Sequence, residues 1–115
     1  MSNKIRVLKV EPGKLPEVVE IGNDLDSLQK AVSIGAGYQG LIELVHAERG
    51  VVLMMNEEGK LINLPANRIC ANDVICGVFY VVGDDGDNLV SLPEHKIEKY
   101  KKFFGPKSIL EWEDM

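Results

Sequence analysis

Cysteine is scarce in this chain, with only Cys70 and Cys76 in 115 residues. Their spacing fits neither a CxxC redox pair nor a zinc knuckle, so reduced thiols are expected, with Cys76 as a small hydrophobe in its apolar run. Neither His46 nor His95 is close to Cys76 in sequence, and packing as a small hydrophobe is favoured there over a catalytic thiol. Long apolar runs are absent as well: nothing approaches the roughly 18 uninterrupted residues of a membrane span, and Met1 begins no charged-then-apolar leader. No membrane partner is expected, and the cytoplasm is the default location. Basic residues are outnumbered, 13 against 18 acidic, for a net charge of −5. A nucleic acid polymer is therefore a poor partner, because affinity for phosphate backbones comes mainly from neutralising Lys and Arg.

What is present suits one soluble domain. Hydrophobic residues make up 45% and charged residues 27% of the chain, the proportions of an ordinary globular protein. A domain of this size buries roughly two thirds of its unfolded surface and needs no staple. Residues 1–108 are expected to form this domain, with 109–115 as a C-terminal tail.

The apolar periodicity predicts an α+β fold: a mixed, mostly antiparallel sheet of about six strands with two helices. Lys4 to Val10 and Glu17 to Ile21 form a hairpin around Glu11-Pro12-Gly13. Asn23 or Asp24 caps a helix whose Leu25, Leu28 and Val32 recur at helical spacing. Leu41 to His46 is a strand, and Val51 to Met55 is the doubly covered strand expected at the sheet's centre. Lys60 to Leu64 returns as a short strand before Pro65, and the chain from Pro65 to Asn72 is expected to be irregular. Val74 to Val82 is the most β-prone segment, turning through Gly83 to Asn88 into Leu89 and Val90. Ser91-Leu92-Pro93-Glu94 has the form of a capping box opening a helix with Ile97, Tyr100 and Phe104 on its apolar stripe.

Several segments bear on function. In Gly35 to Gly40, backbone amides are free to approach an anion and Tyr38 can stack on a ring, but the loop lacks a phosphate-loop lysine and follows a helix, which also suits a plain connection. Asn67 and Arg68 pair an amide with a guanidinium, the fork that holds carboxylates, phosphates or base edges; the alternative is a turn residue beside a surface ion pair. Asp84, Asp85 and Asp87 offer hard oxygens but not an EF-hand pattern, and read better as solvated turn residues. Glu43 is either an edge charge or a partly buried acid. The basic run Lys96, Lys99, Lys101 and Lys102 is a solvated face or a patch for an acidic partner. His46, His95 and the serines mark no triad, metal site or nucleophile elbow. No catalytic residue, metal or cofactor is assigned.

Taken together, Ile5 to Pro12, Leu25-x-x-Leu28-Gln29, Gly37-Tyr38 leading to Ile42-Glu43, Asn56 to Lys60, Leu64-Pro65-Ala66-Asn67-Arg68 and Val81 to Asp85 are familiar. Their order resembles the small bacterial and phage domain of unknown function 3846 family. That resemblance implies a setting, mobile elements acting on host defences, and no chemistry. The first expectation is a non-enzymatic binder that sequesters a nucleotide-like signal with Gly37, Tyr38, Asn67 and Arg68, between subunits of a homo-oligomer. The alternatives are a module that covers a host protein through Lys99, Lys102 and Trp112, and a metal-dependent hydrolase using Glu43 or the three aspartates. Self-association is expected because several short strands leave edges to protect.

Overall fold

The computed structural model describes residues 3–70 and 73–105. Ten elements follow one another: β1 (Lys4–Val10), β2 (Glu17–Gly22), α1 (Leu25–Val32), β3 (Ile42–Glu48), β4 (Val51–Asn56), β5 (Ala66–Cys70), β6 (Asp73–Cys76), β7 (Phe79–Asp84), β8 (Leu89–Val90) and α2 (Glu94–Phe104). The main sheet runs β2-β1-β7-β4-β3, with β8 beside β7, and β5 and β6 form a separate hairpin; all the strand pairs are antiparallel. The α+β expectation therefore holds, with β7 rather than β4 at the centre of the order.

Strand alternation splits the core in two, because successive side chains point to opposite faces. Leu8, Val10, Val51, Leu53, Met55, Phe79 and Val81 face α2 and the β5–β6 hairpin, joining Ile75, Leu92, Ile97, Tyr100 and Phe104. Ile5, Val7, Val52, Met54, Tyr80 and Val82 face α1 through Leu28 and Val32. β4 is buried at every position, as its unbroken apolar run requires. Asp24 caps α1, its Oδ2 accepting the amide of Ser27 at 3.0 Å, while Leu25 stays exposed. Tyr80 ties the sheet to this helix by donating to Ala31 O at 3.1 Å.

Four local expectations give way to tertiary context. The expected capping box does not close on its own helix. Pro93 is the N-cap of α2; Ser91 Oγ instead accepts the amide of Arg6 at 2.9 Å and Glu94 pairs with the Arg6 guanidinium. These two side chains join α2 to β1. Lys60 to Leu64 forms turns rather than a strand, and Asn63 takes φ +57° there. The segment expected to be irregular contains β5. The long strand from Val74 is cut at Gly77, whose φ of +84° belongs to a conformation that residues with a Cβ resist. Gly83 is required for close approach: a Cβ there would lie 2.5 Å from Ser91 O, so β8 could not seat against β7.

A bulge sets the end of β3. The β3–β4 register shifts between His46 and Glu48, and the extra residue turns Glu48 to the α2 side of the sheet. Its carboxylate there accepts from Lys96, Lys99 and the Tyr100 hydroxyl. Those three bonds hold it down to a pKa of about 2, Lys96 contributing most.

Candidate functional site

The edges of the sheet differ in chemistry. In an antiparallel ladder, residues alternate between bonding the neighbouring strand and pointing their N–H and C=O away from it. Glu57 N donates to Leu41 O and Asp84 N to Gly50 O, both at 3.0 Å. Carried along the registers, these bonds commit Glu43 and Val45 to β4, and the even residues of β4 to β7. The amides and carbonyls of Ile42, Leu44 and His46 are therefore those turned to the open side of β3. The same reasoning from Asn23 N donating to Asn3 O at 2.7 Å leaves Val18, Glu20 and Gly22 on the open side of β2.

The β3 edge is also apolar. Leu41, Leu44 and Val45 are 57%, 47% and 38% exposed, and Ile34 and Tyr38 in the preceding loop are each 49% exposed. Beside Leu44 and His46, on the α1 face, lies a cleft of about 280 Å³ floored by Val52 and Leu89 and walled by Asp84, Gly86, Asp87 and Asn88. α1 has only 8 residues and leaves this end of the sheet face uncovered. A second depression, about 490 Å³, lies beyond Asn88 and Leu89 and is lined by Asn3, Ile5, Asn23, Asp85, Val90 and Ser91. Neither is lined by a Lys or Arg.

The aspartates of this loop are engaged locally. Asp84 Oδ1 accepts the amide of Gly86 at 3.0 Å, and Asp85 Oδ1 those of Asp87 and Asn88, which hold the Asp85 carboxyl below its ordinary range. Among the described residues, no group of three or more His, Cys, Asp and Glu is placed to hold a metal ion. Glu43 is an exposed edge charge.

The four residues expected to form a ligand site have different surroundings. Tyr38 is half exposed and donates to Glu58 Oε1 at 3.4 Å; burial, and then Glu58, raise its pKa. Gly37 precedes it at φ +80°. Gln39 and Gly40 stitch the loop to α1, through Gln29 Oε1 at 2.8 Å and Ser33 Oγ at 2.8 Å. Asn67 and Arg68 are fully buried. Asn67 Nδ2 donates to Val10 O at 2.9 Å and Gly77 O at 2.8 Å. Arg68 donates to Phe104 O at 2.7 Å, Lys14 O at 2.8 Å and Asn67 Oδ1 at 2.9 Å. This fork grips the chain's own carbonyls from buried positions of strand β5 rather than from a surface turn.

Of the residues expected to meet a partner, Lys99 is engaged with Glu48, Lys102 is exposed, and Trp112 lies outside the described residues. Cys70 and Cys76 are free thiols at opposite ends of the β5–β6 hairpin; burial pushes the Cys70 thiol up.

A family model described as a domain of unknown function, DUF3846, matches residues 5–105. The chain belongs to this family. In the DUF3846 chain the matched span ends at Gly105, the C-cap of α2, so both cores, the β3 edge and the Arg68 fork all lie inside it. Neither a curated protein nor a solved structure matches the chain. No helix among the described residues of this DUF3846 protein is long and apolar enough to cross a membrane.

Proposed function

We propose that this protein is a non-enzymatic interaction module that binds another polypeptide by adding a strand to the open edge of β3. The observation that carries this reading is the run from half-buried Ile42 through exposed Glu43 to Ala47, apolar but for Glu43 and His46, on a sheet edge whose outward N–H and C=O groups pair with no strand among the described residues. Main-chain bonds to such an edge supply affinity, and pockets for alternate side chains supply selectivity. The cleft beside Leu44 and His46 is placed to receive such a side chain.

A nucleotide-like ligand, the other reading, is supported less. Of its four residues Gly37, Tyr38, Asn67 and Arg68, the last two have their polar atoms engaged inside the fold, and the two surface depressions present Asp84, Asp85 and Asp87 without a basic residue. An anionic phosphate is repelled there rather than neutralised.

Leu44→Pro tests the proposal, because that amide points away from β4 and proline is tolerated on an edge strand's solvent side. Random peptides displayed against the dilute wild-type protein are expected to yield β-branched sequences. These should lose at least about tenfold in affinity, or about 1.4 kcal/mol, on Leu44→Pro. Peptides that bind both proteins equally, or an empty selection, would overturn the proposal. A parallel thermal-shift panel of nucleotides and cyclic dinucleotides is expected to show no stabilisation. A true ligand at 100 times its dissociation constant would add about 2.7 kcal/mol and favour the small-molecule reading.

A further inference from the structure

We infer that the polypeptide taken up by β3 is a second copy of the same chain, joined across a twofold axis to make one continuous sheet. The inference rests on the strand-addition reading and adds the identity of the partner.

A twofold axis normal to a sheet keeps each face on its own side, so only residues of equal parity can stand opposite one another. Full use of the outward groups of β3 then fixes the register: Leu44 faces Leu44 of the second copy, and Ile42 faces His46. Each of these pairs exchanges both main-chain bonds, because Ile42, Leu44 and His46 are the residues whose N–H and C=O are free of β4. On the other face Glu43 stands opposite Val45, and no like charges meet. Leu44, 47% exposed in the single chain, becomes covered by Leu44 of the second copy, and Val45, 38% exposed, by the methylenes of Glu43 opposite it.

The opposite edge shows what an edge closed to self-pairing looks like. The equivalent register on β2 uses Val18, Glu20 and Gly22 and sets Glu20 against Glu20, a like-charge pair directly across strands. The same device is missing from β3, where slipping the register by one step toward the N-terminus would bring Glu43 against Glu43. Charge therefore disfavours the equivalent register on β2 and one neighbouring register on β3 while leaving the Leu44-centred one open. A strand pair of this length is a small interface, so association is expected in the micromolar range rather than tighter.

Sedimentation of the full chain across a concentration series, with amide exchange read by NMR at the two ends of that series, tests this. The expected result is a reversible monomer-dimer equilibrium. Concentration should slow the amides of Ile42, Leu44 and His46 and leave those of Glu43 and Val45, already bonded to β4, unchanged. Leu44→Pro and the milder Leu44→Lys should both be monomeric, and retention of the wild-type circular dichroism by either one is enough to read the result. Leu44→Cys should give a disulfide dimer mapped by mass spectrometry to residue 44 in both chains, since opposed residues in such a pair lie within disulfide reach. A wild-type protein that stays monomeric, or a dimer that survives both Leu44 variants, would overturn self-pairing. If peptides selected on the wild type still lost binding to Leu44→Pro, strand addition itself would stand with a different partner. If they did not, both readings would fall together.

Discussion

A guanidinium carries five N–H donors and no acceptor, so burying one commits the fold to supplying oxygens around it. Among the described residues Arg68 finds them on separate pieces of chain: the carbonyl ending α2 at Phe104, the turn between β1 and β2 at Lys14, and its neighbour Asn67. The contact with Phe104 also places a positive charge at the negative end of the α2 dipole. Arg68→Lys keeps the charge but loses the planar fork, and Arg68→Met keeps the volume but leaves buried carbonyls without donors. Both are expected to lower unfolding free energy by about 2–4 kcal/mol, with urea denaturation as the measurement. A loss below about 1 kcal/mol in either variant would mean that water replaces the fork at little cost.

The alternation along β3 makes adjacent positions respond differently to the same substitution. Val45→Pro removes an amide bonded to β4 and strands the Leu53 carbonyl, whereas Leu44→Pro removes only an outward donor. Val45→Pro is expected to cost at least about 2 kcal/mol more than Leu44→Pro in urea unfolding of dilute protein. Equal losses would show that the parity of the ladder is misassigned. Elements of this kind were legible where the local pattern and the tertiary role agree. The strands β1, β2 and β4, the Asp24 cap and the Ile97, Tyr100 and Phe104 stripe follow directly from residue spacing. β5 was hidden because its two inward positions are Asn67 and Arg68, which look like loop residues until carbonyls of β1, of Gly77 between β6 and β7, and of α2 satisfy them. The capping box failed for a similar reason, since Arg6, 85 residues from Ser91, competes for the same two side chains. Glu48 could not be recognised as the anchor of Lys96 and Lys99 because only the bulge before it turns it to that face. The β3 edge was visible as a strand, but its open side depends on strand order, which one sequence does not encode locally.

Two electrostatic effects compete over the whole molecule, and they predict opposite acid behaviour. Diffuse repulsion within a chain of net charge −5 would relax as carboxylates protonate, raising stability on the way down from neutral pH. Specific pairing acts the other way. Glu48 is held at about 2 instead of the ordinary 4.5, and Glu11, Asp24, Asp26, Asp73, Asp85 and Glu94 are all shifted downward by lysine, arginine, hydroxyl or amide partners. In the window between the depressed and ordinary values the unfolded chain binds more protons than the folded one, so stability rises with pH there and is lost as pH falls through it. Local pairing is expected to win, because the paired groups lie in contact whereas the excess charge is spread over the surface and screened by salt. The urea midpoint should therefore fall steadily from about pH 5 to about pH 2.5, with an unchanged slope of free energy on urea. Glu48→Gln should lower the midpoint at pH 7 and flatten its decline below about pH 4.5, since the group with the largest downward shift no longer titrates. A midpoint that rises on acidification would assign the balance to diffuse repulsion, and an unaltered decline of the midpoint with falling pH in Glu48→Gln would remove the Glu48, Lys96, Lys99 and Tyr100 cluster as the main acid-sensitive tie between the β3 bulge and α2.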